Sequence, residues 1–206
     1  MIRTLIFDFG NVVGFFDHWQ VTRRLAAHGE VAAEELHAFL FGGPLEDDYE
    51  AGRISSAEFL RHVREKARLR CSEEVLVTSY TDIFWPNPDV CGLLPRLKTR
   101  YRILLASNTS ELHSRQFQRQ FAEALQSFDG LVLSHEIGAR KPGAAFFEHC
   151  LRRAGGGAAE CVFIDDLPAN VAGARACGLH GIVYAGIEGL CRDLAALGIT
   201  GNGDGR

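Results

Sequence analysis

Several things are missing from this 206-residue chain, and each absence narrows what it can be. No apolar run approaches the roughly 20 residues needed to cross a bilayer, so a membrane span is not expected. The N-terminus has no basic region leading into a long hydrophobic stretch, because the first apolar run stops at Asp8. A secretory leader is therefore not expected, and the chain reads as cytoplasmic. There is no excess of positive charge: 22 Lys and Arg stand against 26 Asp and Glu, for a net charge of -4. A nucleic-acid backbone would find no basic field, and small molecules are the expected partners. The six cysteines (Cys71, Cys91, Cys150, Cys161, Cys177, Cys191) include no C-x-x-C pair, and several lie in apolar runs where cysteine behaves as a small hydrophobe. Free thiols are expected. The eight histidines show neither H-x-x-x-H nor H-E-x-x-H spacing, so none is assigned to a metal. No internal repeat is present.

What remains is an ordinary globular composition, 47% hydrophobic and 23% charged, on a chain long enough for one full core and a modest second lobe. From Tyr101 onward short apolar runs alternate with amphipathic stretches, the pattern of parallel βαβ units. Strands are expected near 3–8, 101–106, 130–134, 161–165 and 181–185, with helices near 88–99, 110–126, 143–154, 168–177 and 187–197. Pro168 suits a first helical turn and Gly178 a helix stop. Between the first two strands lies an insert, about Asp17 to Trp85, with several helix starts and no convincing period-2 strand. Ser55 and Glu58 form a capping-box pattern, and Asp17 and Ser72 are further N-cap candidates. About four helices are expected there, ending at Pro86-Asn87-Pro88, where two prolines prevent a continuous helix. The expected fold is α/β, a doubly wound parallel five-stranded sheet carrying a helical insert after its first strand. The expected division is residues 1–16 and 87–200 as core, 17–86 as insert and 201–206 as a flexible tail.

Four of the apolar runs lead into polar residues suited to phosphoryl transfer. Leu5-Ile6-Phe7 leads into Asp8, Ile103-Leu104-Leu105-Ala106 into Ser107, Leu131-Val132-Leu133 precedes Lys141, and Cys161-Val162-Phe163-Ile164 leads into Asp165-Asp166. In a doubly wound sheet, residues just past the strands' carboxyl ends converge on one crevice. An Asp after a strand is by itself more often a turn or cap residue, but several such residues in register point to a site.

The segments TLIFDFGNVV, RILLASNTS, GARKP and FIDDLPANVAGARACG, which span nearly the whole chain, resemble the haloacid dehalogenase superfamily. The resemblance is to its phosphatase-like members with a helical cap after the first strand. The insert segment YEAGRISSAEF is similar to the cap of bacterial glucose-1-phosphate phosphatases. The resemblance implies that Asp8 is the nucleophile, forming an aspartyl-phosphate. It implies that Ser107 and Asn108 bind the transferring phosphoryl group together with Gly10 and Asn11, and that Lys141 neutralises it. It further implies a Mg²⁺ site built from Asp8, the Gly10 carbonyl and the pair Asp165-Asp166, with Asp166 as a direct ligand and Asp165 as a direct or outer one. Hard carboxylate oxygens suit that ion. Asn170 reads equally as a loop support or a helix-surface residue, and Trp19 and Trp85 as packing or as pocket lining.

The pattern breaks at Gly10, where most phosphatases of the superfamily carry a second Asp that serves as general acid and base. Such a group contributes about 10²–10⁴-fold. Three readings stay open: a substrate with an already acidic leaving oxygen, such as an anomeric sugar phosphate; a substitute acid from Asp17 or His18; or a weakly active or inactive binding module. A metal-independent 2-haloacid dehalogenase is a further alternative, although such enzymes have no need of a cation-binding acidic pair. The resemblance as a whole implies a magnesium-dependent phosphatase of small phosphorylated metabolites.

Overall fold

Alternate residues of the apolar runs point to opposite faces of one parallel sheet, and both faces are buried. The computed structural model describes residues 1–200; the expected tail over 201–206 lies outside the described residues. The first half runs β1 (Thr4–Phe7), β2 (Gly14–Phe16), α1 (His18–Ala26), α2 (Ala33–Leu40), α3 (Pro44–Glu50), α4 (Ser56–Ala67), α5 (Glu73–Thr81) and β3 (Phe84–Pro86). The second half runs α6 (Pro88–Lys98), β4 (Arg102–Ser107), α7 (Glu111–Gln120), α8 (Ala122–Leu125), β5 (Gly130–Leu133) and α9 (Ser134–Ile137). It continues with α10 (Ala144–Ala154), β6 (Cys161–Asp165), α11 (Pro168–Ala176), β7 (His180–Val183) and α12 (Ile187–Ala196).

The sheet order is β5-β4-β1-β6-β7, every pair parallel. Leu5 and Phe7 share one core with Ile103, Leu105, Val162 and Ile164, closed by Val90 and Leu94 of α6 and Leu190 and Leu194 of α12. Ile6, Leu104 and Phe163 face the other way, onto Phe146 and Phe147 of α10 and Val171 and Ala174 of α11. A strand covered on both sides has no polar face, which is why these segments read as continuous apolar runs. The register then fixes the site. Phe7 pairs with Leu105 on one side and Ile164 on the other, so Asp8, Ala106 and Asp165 emerge side by side at the carboxyl edge.

Helices α1 to α5 enclose a separate apolar cluster that includes Val21, Leu25, Leu36, Leu40, Tyr49, Phe59, Val63, Leu76 and Tyr80. The caps follow the sequence pattern. Asp17 accepts from the Trp19 N–H, Ser72 from Val75, and Ser55 and Glu58 close a reciprocal capping box. Each such cap is worth about 1 kcal/mol.

The insert differs from expectation in two ways. It holds five helices rather than about four, because Pro44 at the first turn of α3 starts a short helix that has no side-chain cap. It is also entered and left through a two-stranded antiparallel ribbon, β2 with β3, pairing Phe15 with Trp85. Three-residue strands are too short to show an alternating pattern. The Pro86-Asn87-Pro88 segment is anchored rather than loose: the Asn87 N–H donates to the Val13 carbonyl, and its side-chain amide donates to the Val12 carbonyl and the Tyr184 hydroxyl. The helix expected over 110–126 breaks at Phe121, whose ring is buried 5.0 Å from that of Phe9. Among the described residues no helix is long and apolar enough to cross a membrane.

Phe147 is fully buried and meets Phe163 edge to face at 5.2 Å. Truncating a core phenylalanine costs about 3–5 kcal/mol. We expect Phe147→Ala to lower the unfolding free energy by that amount, read as a lower urea midpoint at an unchanged denaturant slope; a loss below about 1 kcal/mol would contradict the buried position.

Candidate active site

A single buried ammonium holds the carboxyl edge together. Lys141 Nζ lies 2.7 Å from Asp8 Oδ1, 2.7 Å from Asp165 Oδ2 and 3.1 Å from the Ala106 carbonyl, so all three of its protons have acceptors. Its side chain is 1% exposed. The resemblance assigned Lys141 to the transferring group; in the structure it is committed to the two carboxylates, while still lining the cavity together with Asp8. Asn108 fixes the lysine's backbone in both directions, accepting from its N–H at 2.8 Å and donating to its carbonyl at 3.0 Å.

Each carboxylate has a different environment. Asp8 Oδ1 also accepts from the Phe9 N–H at 2.7 Å, so both of these bonds fall on one oxygen. Asp165 is fully buried and accepts from Lys141, from the Leu167 N–H and, through both oxygens, from Asn170. Asn170 is thus a buried support of this loop and not a helix-surface residue. Asp166 is half-buried and lines the cavity, accepting from Asn11 Nδ2 at 3.0 Å. The Asn11 amide therefore holds a carboxylate. Its backbone sits at φ 55°, the left-handed region that asparagine tolerates better than most residues.

Oxygens of Asp8, Asp165 and Asp166 all lie within 4.8 Å of one another. Burial pushes the Asp8 carboxyl well above the usual carboxylate range; Lys141 opposes that shift, and Asp165 and Asp166 add to it. Burial likewise raises Asp166, against the Asn11 hydrogen bond. Burial works against the Lys141 charge, but Asp8 and Asp165 more than offset it and raise its pKa. One cation among three carboxylates leaves surplus negative charge, and a set of hard oxygen donors suits a divalent ion such as Mg²⁺. The residues present fit that group.

The cavity these residues open into has a volume of about 270 Å³. Ser107, Asn108 and Thr109 from the end of β4 and Gly10 from the loop after β1 line its inner end. Gly10 has a steric reason to be glycine: a Cβ there would lie 2.8 Å from Phe16 Cε1 of the β2 ribbon. The ring of Phe16 also packs on His18 at 4.7 Å and Phe84 at 6.4 Å, so it cannot yield freely.

The candidate substitute acids divide. Asp17 is used as the α1 cap and does not line the cavity. His18 does line it, but not as an exposed helix residue: it stacks on Phe41 at 3.8 Å, and burial with the neighbouring His113 and His37 brings its pKa down to about 3. His113 is brought down to about 4, mainly by burial. Both imidazoles are neutral at physiological pH, and neither holds a proton ready to give. Trp19 and Trp85 lie outside the cavity.

Sequence reasoning missed the outer wall. Glu46 and Glu50 of α3 face the cavity together with Arg140. Arg140 donates through Nε to Glu50 at 3.0 Å, through Nη2 to Glu50 at 2.8 Å and through Nη1 to Asp47. Burial pushes Glu50 up to about 7; Glu46 adds to the shift and Arg140 opposes it. The available signal was weak: a basic residue beside Lys141 and a run of acids on a short helix, either of which reads as solvated surface.

A family model described as haloacid dehalogenase-like hydrolase matches residues 2–178. Among curated proteins, the chain is similar to the sesquiterpene phosphatase astK of Aspergillus oryzae, 26% identical, covering 95% of this chain and 96% of that one. It is also similar to the phosphatase MT3486 of Mycobacterium tuberculosis, 26% identical, covering 99% of each. Among solved structures, a HAD family enzyme of Bacteroides thetaiotaomicron in complex with magnesium and inorganic phosphate superposes with a TM-score of 0.78 at 25% identity, covering 90% of this chain and 96% of that one. Extending over nearly the full length of the sheet and its edge residues, these likenesses place the chain in the haloacid dehalogenase-like hydrolase family.

Proposed function

We propose that this protein is a magnesium-dependent phosphatase of small phosphorylated metabolites, with Asp8 as nucleophile and a sugar phosphate as the best substrate. The observation that carries the reading is the surplus of negative charge at the carboxyl edge, a cluster of three carboxylates with one buried ammonium, of which Asp8 and Asp166 line a small cavity. The full-length similarity to two proteins named as phosphatases, and to a structure holding magnesium and phosphate, supports it.

Bound at Asp8, Asp166 and the Gly10 carbonyl, with Asp165 beside them, magnesium would supply the positive charge that lets an anionic carboxylate approach an anionic phosphate. The remaining work falls to the chain. Lys141 and the Phe9 N–H hold Asp8 Oδ1, so Oδ2 is the attacking oxygen and forms the aspartyl-phosphate. Ser107, with backbone N–H groups of the loop at Asn108, binds the phosphoryl oxygens, a matter of positioning and charge stabilisation. The helical insert, residues 17–86, acts as a cap that closes the cavity and excludes water.

Without a second Asp, and with Asp17 and the two neutral imidazoles unsuited to giving a proton, the leaving oxygen must depart with little help. That favours an acidic leaving group such as an anomeric sugar oxygen. The cavity volume of about 270 Å³ lies below the ~300–1,000 Å³ usual for drug-sized ligands, which suits a small metabolite. Dehalogenation fits less well, because a 2-haloacid would bring its own carboxylate among Asp8, Asp166, Glu46 and Glu50.

Phosphate release from glucose 1-phosphate should vanish with a chelator and return with magnesium. Asp8→Asn should lower it by at least about 10³-fold. Retention of full metal-dependent activity by Asp8→Asn, or chloride release from 2-chloropropionate without metal, would overturn the reading.

The leaving-group argument has its own test. Glucose 1-phosphate should exceed glucose 6-phosphate in kcat by about tenfold or more, because only the latter has a poor leaving oxygen. Gly10→Asp alone should gain nothing, since its Cβ meets the Phe16 ring. Gly10→Asp combined with Phe16→Leu should raise turnover of the 6-phosphate selectively; equal rates on both esters in the unaltered protein would refute the argument.

A further inference from the structure

Among the described residues lining the cavity only two are cationic, Arg140 and Lys141, and both are committed to carboxylates of the protein. Three nitrogens of the Arg140 guanidinium donate to Asp47 and Glu50. All three protons of Lys141 are directed at Asp8, Asp165 and the Ala106 carbonyl. The cavity therefore offers a second anion no uncommitted positive group. Its outer wall is instead acidic. Glu46 and Glu50 stand one helical turn apart on α3, and Glu46 Oε2 is held by the Gly42 N–H at 2.6 Å. Residues at this spacing lie on one helix face, so both carboxylates can meet the same part of a ligand. The neutral imidazoles of His18 and His113 add no charge.

We infer that Glu46 and Glu50 make the leaving-group end of the cavity a charge-selective subsite, one that accepts phosphoesters of neutral, hydrogen-bond-donating alcohols and rejects those carrying a second anionic group. The inference rests on the phosphatase reading and deepens it. A carboxylate accepts hydrogen bonds and donates none, so hydroxyls of a polyol satisfy it, whereas a substrate carboxylate meets the surplus of Glu46, Asp47 and Glu50 over the one guanidinium of Arg140. In a partly buried site two like charges a few ångströms apart disfavour binding by a factor of ten or more, about the scale set by an effective dielectric near 20.

The test uses ester pairs that differ only in charge. Glucose 1-phosphate and glucuronic acid 1-phosphate share the ring and the leaving oxygen, and glycerol 3-phosphate and 3-phosphoglycerate form a smaller pair. We expect kcat/KM to favour the neutral member of each pair by about tenfold or more. Glu46→Gln and Glu46→Ala, which leave the Arg140–Glu50 pair intact, should narrow that ratio chiefly by raising kcat/KM for the anionic member, while inhibition by inorganic phosphate stays the same and reports an intact inner end. Ratios near one in the unaltered protein, or ratios that the variants leave unchanged, would overturn the inference while leaving the phosphatase reading in place. Failure to release phosphate from any ester would remove that reading and this inference with it.

Discussion

The site depends on one ammonium placed where it cannot be hydrated. Lys141, in the loop between α9 and α10, is buried between the carboxylates at the carboxyl ends of β1 and β6. Removing one partner of a buried ion pair costs about 3–5 kcal/mol, because the other charge is left without compensation. The three elements are therefore mutually constrained: the sheet register sets Asp8 beside Asp165, and the lysine makes that juxtaposition tolerable. It does so incompletely, since Asp166 joins the cluster and the Asp8 carboxyl is still held above its usual range. The incompleteness is what a cation-binding site requires. A fully neutralised cluster would have no remaining attraction for a divalent ion.

Supporting bonds divide the carboxylates by task. Asp165 accepts from a lysine, a backbone N–H and an asparagine, and is shut away from the cavity. Asp166, with the Asn11 amide as its hydrogen-bonding partner, faces the cavity. Asparagines recur as the clamps, Asn108 on the Lys141 backbone, Asn170 on Asp165 and Asn11 on Asp166, because a side-chain amide can donate and accept without adding charge. In a region already carrying three acids and one base, further charged supports would disturb the balance.

The inner end was legible in the sequence for a topological reason. In a parallel sheet whose strands are buried on both faces, the end of each apolar run marks the edge, so Asp8, Ser107 and Asp165 could be placed without knowing a single contact. The helix N-caps of the insert were legible because they are local. Asp17 shows the limit of that logic: its role as a cap accounts for it, and the same pattern gave no means of placing the neighbouring His18 against Phe41. The ribbon of β2 and β3 was invisible because its two strands are three residues long and some 70 residues apart, so no local period records their pairing. The reason for Gly10 was hidden with it. Read from sequence, the glycine is a missing acid; in the structure it is also the space that the Phe16 ring of that ribbon occupies.

Arg140 and Lys141 are adjacent, yet they face different partners: the lysine binds core carboxylates, and the arginine binds Asp47 and Glu50 of the insert. Two consecutive residues thus tie the insert to the carboxyl edge of the sheet through one short stretch of backbone. A rearrangement that drew α3 away from the edge would leave Arg140 and Glu50 each partly buried without a counterion, a state penalised on both sides. Glu50 has a way to reduce that penalty, since burial already brings its carboxyl to about 7 and protonation removes its charge at little cost near neutrality. Arginine has no such recourse. The position of the helical insert over the cavity therefore rests on two kinds of contact, the carboxylates that Arg140 binds and an apolar seam in which Leu112 and Phe84 pack against the insert's cluster and Tyr80 stacks on His113 at 4.1 Å.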